Sequence, residues 1–221
     1  MNIGFNIATI NKHLNNSKVK LVVVSKNQPV ELIKEVYSHG YRDFAENTVQ
    51  NIMARKEHLP NDVNWHMIGH LQTNKVKFIA PFVHLIHSVD SIHLADVIDK
   101  EAKKNDRIIN VLLQINISKE TNKYGFSYEN LDGVLGNGYL RNLNNVKILG
   151  LMGMACDSLD QSLINSQFAE LHIYFKKLQT SYFKDNKDFK ELSIGMSGDY
   201  LLAINNNATI IRLGSSIFNV T

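Results

Sequence analysis

Lys26 closes the run "LVVVSK" (21–26), where β-branched residues stop and Pro29 follows three positions on. A lysine beside buried Val22–Val24 loses hydration as a cation, which lowers its pKa and frees the neutral amine that condenses with carbonyls. Lys26 is therefore a candidate Schiff-base lysine, with a solvated surface lysine as the bland alternative. A second cluster lies near the C-terminus, where "SIGMSGDY" and "IRLGSSIF" each put Gly and Ser together as the chain leaves an apolar run. Glycine lets backbone N–H groups come close to a ligand, and the hydroxyls of Ser197 and Ser215 can donate to phosphate oxygens. Either motif alone could simply be a turn.

Arg212 is the third signal. It sits two residues before Gly214 inside an apolar run, so both should point to one face of a strand. A buried guanidinium needs an acceptor; a carboxylate is one possibility, a cofactor ring nitrogen another. Lysine, phosphate cradle and ring-nitrogen partner together describe pyridoxal 5′-phosphate (PLP).

These residues must be positioned by the elements around them. Eight apolar, Val/Ile/Leu-rich runs (20–26, 43–47, 63–69, 83–90, 109–118, 146–155, 189–197 and 209–218) show little strict alternation. Such runs are what parallel strands covered on both faces look like. Helix-like segments separate them, at 29–39, 48–58, 73–80, 91–104, 127–142, 160–182 and 199–206, and another covers 2–15. In "PVELIKEVYSHG", Pro29 suits a helix start, Leu32, Ile33 and Val36 share a face, and Gly40 offers a left-handed stop. Ser91 caps the segment that follows it. The expectation is one (β/α)₈ barrel, with residues 1–19 as an added N-terminal helix and 20–218 as the barrel, in a single domain spanning 1–221. An open doubly wound sheet is the alternative. In a barrel, chemistry sits at the strands' C-terminal ends, and loops after strands 7 and 8 are where phosphates are often held.

Composition narrows the classes. The 24 basic and 21 acidic residues give a net charge of +3, too slight and too scattered to argue for nucleic acid or an anionic membrane. No apolar run approaches the ~18 residues a membrane span needs, and no signal peptide is read. The single cysteine, Cys156, suits a reducing compartment, so the protein is expected to be cytoplasmic. No metal site is expected. His84 and His87 are three apart and should face opposite sides of a strand, while His66 and His70 lack a third ligand. Lys75 and Lys77 read as a solvated face, and no dinucleotide fingerprint occurs.

The motifs "LVVVSKNQP", "FAENTVQ", "WHMIGHLQTNK", "QINIS" with "NKYGF", "GLMGM", "LSIGMSGDYLLAI" and "IRLGSSIF" occur in this order over 20–218. On them the chain resembles the pyridoxal phosphate homeostasis protein family. The resemblance implies a barrel similar to the N-terminal domain of alanine racemase. It implies an internal aldimine on Lys26, Arg212 facing the pyridine nitrogen, and Ser197, Gly214 and Ser215 holding the phosphate. It places Asn47 near the ring and its hydroxyl, with His66 and Met196 as further pocket residues. Leu201 departs from the family's usual acidic residue, Asn207 from its glycine, and Asn219 from the glycine of its terminal Phe-Gly.

The function expected on this ground is a non-catalytic PLP carrier in vitamin B6 homeostasis, with a PLP-dependent amino-acid racemase as the alternative. Arginine opposite the ring nitrogen leaves that nitrogen unprotonated and weakens the electron sink that racemisation needs. No second catalytic domain is read in the chain, and no spacing nominates an acid–base pair for the two faces of a substrate carbon. Expected partners are PLP, amino acids competing for its carbonyl, and apo-enzymes that receive it. A monomer is expected.

Overall fold

The computed structural model describes residues 2–14 and 17–219. Eight parallel strands close into a barrel in sequence order: β1 (Lys20–Val24), β2 (Asp43–Glu46), β3 (Asn64–Met67), β4 (Leu85–Val89), β5 (Ile109–Ile115), β6 (Val146–Gly153), β7 (Glu191–Ser193) and β8 (Ile210–Leu213). Closure comes from β1 pairing with β8, Val22 opposite Arg212 and Val23 opposite Leu213. The open-sheet alternative is thereby excluded.

Helices α1 (Ile3–Leu14), α2 (Val30–Ser38), α3 (Val49–Lys56), α4 (Val76–Ile79), α5 (Ile92–Lys104), α6 (Tyr128–Gly136), α7 (Gln161–Thr180), α8 (Tyr200–Asn205) and α9 (Ser215–Phe218) complete the order. The bounds expected at residues 1, 15 and 221 lie outside the described residues. Local chemistry explains most boundaries. Pro29 is the N-cap of α2 rather than its first residue, and Gly40 beyond its end has φ +93°. Ser91 Oγ accepts the Leu94 N–H at the start of α5. Asn207 takes φ +62° ahead of β8, so asparagine serves where the family uses glycine.

Three sequence expectations need trimming. The helix expected over 127–142 stops at Gly136, because Gly138 turns left-handed at φ +69° and only a 3₁₀ turn, Tyr139–Asn142, follows. The strand expected over 189–197 keeps only Glu191–Ser193. The one expected over 209–218 ends at Leu213 and gives way to α9. Both shortened strands end where glycine-bearing turns take over, which is what frees those turns for a ligand.

A large apolar layer lies between strands and helices, with Phe44, Phe168, Ile33 and Leu94 fully buried in it. A second, smaller cluster of Val22, Val24, Ala45, Leu85, Leu112, Met152 and Ile210 fills the barrel interior. Each such aliphatic side chain contributes about 1.5–3 kcal/mol on burial. Buried positions on β3, β4, β5, β7 and β8 carry His66, His87, Gln114, Ser193 and Arg212. Among the described residues, no helix is long and apolar enough to cross a membrane.

Candidate functional site

A cavity of about 630 Å³ opens at the C-terminal ends of the strands. Lys26, Asn47, Met196, Ser197, Arg212, Gly214 and Ser215 all line it. His66 does not. It is completely buried inside the barrel, as its place in the middle of β3 dictates.

Lys26 is held at the rim by a turn that the sequence does not advertise. Ser25 is fully buried; its N–H pairs with the Ala45 carbonyl and its hydroxyl donates to Glu46 Oε1 at 2.7 Å. Glu46, also fully buried, lies 2.5 Å from Arg55 Nε, and Asn51 donates to its other oxygen. The Arg55 Nε–H is not aimed along this contact, so the attraction is mainly that of two charges in a dry place. Arg55 Nη1 then donates to the Gln28 carbonyl at 2.8 Å, tying the loop after β1 to α3. Between these anchors Lys26 and Asn27 form a turn, with Asn27 at φ +61°. The lysine is exposed, not buried beside Val22–Val24.

Asn47 follows β2 with its backbone pressed on Gly69; any side chain at 69 would overlap the Asn47 carbonyl. That close approach is why "WHMIGH" needs glycine where β3 ends. His70 and Tyr124 stack beside it with ring centroids 3.8 Å apart and also line the cavity.

Across the mouth, Gly195 at φ +90° starts a turn that the Asp199 carboxylate closes by accepting the Met196 N–H. Burial raises the pKa of Asp199, with that hydrogen bond and the Arg212 charge partly offsetting it. The N–H groups of Gly214 and Ser216 converge on Ser197 Oγ at 3.2 and 3.1 Å. These two backbone donors, held together by Ser197 Oγ, and the hydroxyls of Ser197 and Ser215 on the cavity wall make a donor-rich cradle of the kind a phosphate requires, while the Ser216 hydroxyl donates to the Ser197 carbonyl. Asn6 of α1 donates to the Ile217 and Asn219 carbonyls and so pins the segment behind the cradle.

Arg212 is 3% exposed and has no ion-pair partner among the described residues, which removes the carboxylate alternative. Its Nη1 donates to the Ser193 carbonyl (2.8 Å) and hydroxyl (2.6 Å), and Nη2 to the Gly153 carbonyl (3.1 Å). A guanidinium has five N–H donors, so one on Nη2 and the one on Nε are left without a protein acceptor although the group lines the cavity. Burial pushes its pKa down to about 10, which still leaves it cationic at neutral pH.

Behind Arg212 a hydrogen-bonded chain runs through the barrel. His87 Nδ1 lies 2.9 Å from Ser193 Oγ, His87 Nε2 2.9 Å from His66 Nδ1, and His66 Nε2 3.0 Å from Asp43 Oδ1. Burial pushes both imidazoles down, so they are neutral, and each has one donor and one acceptor. Burial tends to raise the Asp43 pKa, but the His66 hydrogen bond and neighbouring charges bring it below the usual value. An ionised Asp43 can only accept, which puts the His66 proton on Nε2. His66 Nδ1 must then accept from His87, and His87 Nδ1 from the Ser193 hydroxyl. Every donor in the chain points away from the cavity, and every member is satisfied.

Buried donors facing the cavity, a two-N–H cradle and a nearby primary amine fit the ring nitrogen, phosphate and aldehyde of PLP. The chain matches the family model described as "Alanine racemase, N-terminal domain" over residues 2–221. It is 40% identical to the pyridoxal phosphate homeostasis protein of Aquifex aeolicus over 200 residues, covering 90% of this chain and 86% of that one. Identity to the Synechocystis protein of the same description is 38%, with 90% of each covered. Among solved structures, PipY of Synechococcus elongatus with PLP bound superposes at a TM-score of 0.88 with 34% identity, covering 98% of this chain and all of PipY. Alanine racemase of Clostridium difficile, 14% identical, shares the fold at a TM-score of 0.77 over 56% of its length.

Proposed function

Starting from a chain that belongs to the pyridoxal phosphate homeostasis proteins, within the alanine racemase N-terminal domain family, we propose that it binds PLP in this cavity and holds it for delivery without turning over a substrate. When bound, PLP supplies an aldehyde that condenses with amines and a ring that withdraws electrons. Lys26 is the amine that holds it covalently. Arg212 would donate a spare N–H to the ring nitrogen, and Ser197, Gly214 and Ser215, which line the cavity together, would hold the phosphate. Asn47 and Met196 flank the ring.

The observation that carries this reading is Arg212: a nearly inaccessible cation, fixed by three hydrogen bonds, keeps two donors facing a cavity that Lys26 also lines. A permanent donor opposite the ring nitrogen leaves no proton there, which disfavours carbanion chemistry and supports storage over racemisation. The cavity is open to water, which suits exchange of a reactive aldehyde with amino acids and with apo-enzymes that receive it. We further assign the protein to the cytoplasm as a monomer of one domain, consistent with its single free cysteine.

The test is spectroscopic. Protein incubated with PLP should show the near-visible band of the covalently held coenzyme, and Lys26→Ala should abolish it. Loaded protein given single-enantiomer alanine in deuterated water should release PLP to an apo-enzyme without sustained deuterium incorporation at the α-carbon. Catalytic incorporation would overturn the carrier assignment.

A further inference from the structure

At the opposite end of the barrel, the strands' N-terminal ends gather three metal-ligating side chains that are far apart in sequence. Ligand atoms of Asp43, His66 and His84 all lie within 4.8 Å of one another. Asp43 opens β2, His66 sits inside β3, and His84 lies just before β4. Spacing alone puts His84 and His87 on opposite faces, yet both rings approach His66 with centroids 5.2 Å away. Strand alternation does not govern His84, because it precedes the strand.

We propose that Asp43, His66 and His84 bind one divalent transition-metal ion of the zinc type, at the end of the barrel remote from the PLP cavity. Two imidazoles and a carboxylate are a donor set that such ions take, with water completing the shell. Bond lengths of about 2.0–2.1 Å place tetrahedral ligands about 3.3 Å apart. The Asp43–His66 pair, at 3.0 Å, already meets this, and binding requires His84 to turn so that the remaining separations, all within 4.8 Å, shorten to the same value. Neither ring nitrogen of His84 has a hydrogen-bond partner among the described residues, and its ring is only partly buried, so it is free to turn. Asp43 and His84 are both partly open to solvent, which gives the ion a way in, while buried His66 fixes its depth.

The ring nitrogen of His66 that does not ligate already faces a partner. With Nε2 on the ion, the His66 proton moves to Nδ1 and donates to His87 Nε2, the outer hydrogen bond that metal-bound imidazoles require. His87 in turn donates from Nδ1 to Ser193 Oγ, so the two imidazole links reverse with no change in proton count, while Arg212 Nη1 keeps donating to the same oxygen and the Ser193 hydroxyl gives up its bond to His87. Two groups compete for Asp43 Oδ1: Asn64 Nδ2 donates to it at 3.4 Å, and Lys20 Nζ, 3.6 Å away on a half-exposed side chain, must yield.

Equilibrium dialysis with Zn²⁺ and the visible absorption of added Co²⁺ test the site, on protein with and without PLP. The expected results are one ion per chain in both forms, a four-coordinate Co²⁺ spectrum, and loss of both signals in His84→Ala and Asp43→Asn. His87→Gln should weaken binding about 10–100-fold. Lys20→Met should strengthen it, a gain that misfolding cannot mimic. Stoichiometric binding that survives His84→Ala, or that PLP abolishes, would place the ion elsewhere and overturn the proposal. So would no binding to the wild type or to Lys20→Met.

Discussion

Replacing Glu46 by glutamine removes one charge from a place where water cannot compensate. Glu46 is fully buried and the Arg55 side chain is 13% exposed, so the guanidinium would be left nearly dry and unpaired. Breaking one side of a buried ion pair costs about 3–5 kcal/mol. Arg55 keeps its bond to the Gln28 carbonyl and a sliver of solvent, and glutamine still accepts from Ser25, so the lower part of that range applies. A loss of about 3 kcal/mol corresponds to roughly 6–12 °C in Tm for a chain of this size. Urea unfolding and thermal melts would measure it. The double variant Glu46→Gln/Arg55→Met should regain most of the stability, because a buried pair replaced as a whole by neutral residues is often nearly neutral. It should not regain the rate at which Lys26 takes up PLP, because the Arg55 tie to the loop after β1 is gone. Wild-type stability in the single variant, or a double variant no more stable than the single one, would refute the charge-burial reasoning. Full recovery of loading in the double variant would refute the role given to Arg55 in placing Lys26.

Arg212→Lys keeps the charge but not the planar fork that reaches Ser193, Gly153 and the cavity together. Loss of a hydrogen bond to a charged group, about 1.5–3 kcal/mol, predicts PLP binding weakened roughly 10–100-fold in a fluorescence titration while Lys26 still reacts. At alkaline pH the test lies in Tyr174 and Tyr128. Burial raises both phenols above the usual tyrosine value, reinforced at Tyr174 by its hydrogen bond to Asp132 and at Tyr128 by the Glu170 charge. Their contribution is fully present below the unfolded value near 10 and is lost above it, by up to about 1.4 kcal/mol per pH unit for each. In an ultraviolet titration these two should ionise only as the protein unfolds, and Tyr174→Phe should flatten the alkaline fall in stability.

How much of this was legible in the chain follows from which physical constraints are local. Apolar runs and caps announce strands and helices because burial and backbone hydrogen bonding act within a few residues. That is why Ser91, Gly40 and Asn207 could be read one at a time, while closure of the sheet and the early ends of the last two strands had to come from the structure. Lys26 and Arg212 stood out for a related reason: a long cation in a strand context has few harmless explanations. The environment of Lys26 did not follow, because β1 stops at Val24 and Lys26 falls in the exposed turn after it, a boundary the apolar run does not mark.

His66 marks the deeper limit. Its strand position says that it faces inward, but inward in a barrel is shared by residues from all eight strands. Whether such a histidine meets a ligand or another side chain depends on its height along the axis. Height is set by register, Ala45 opposite His66 and His66 opposite Leu85, and register is a relation between segments that no single segment contains. The same relation stacks Asp43, His66, His87, Ser193 and Arg212 into one line, although they come from five strands and 169 positions of sequence separate the first from the last. No member's own sequence context names the others as its partners. Together they hold Arg212 from behind, so the donors it offers the cavity are fixed by a carboxylate at the other end of the barrel.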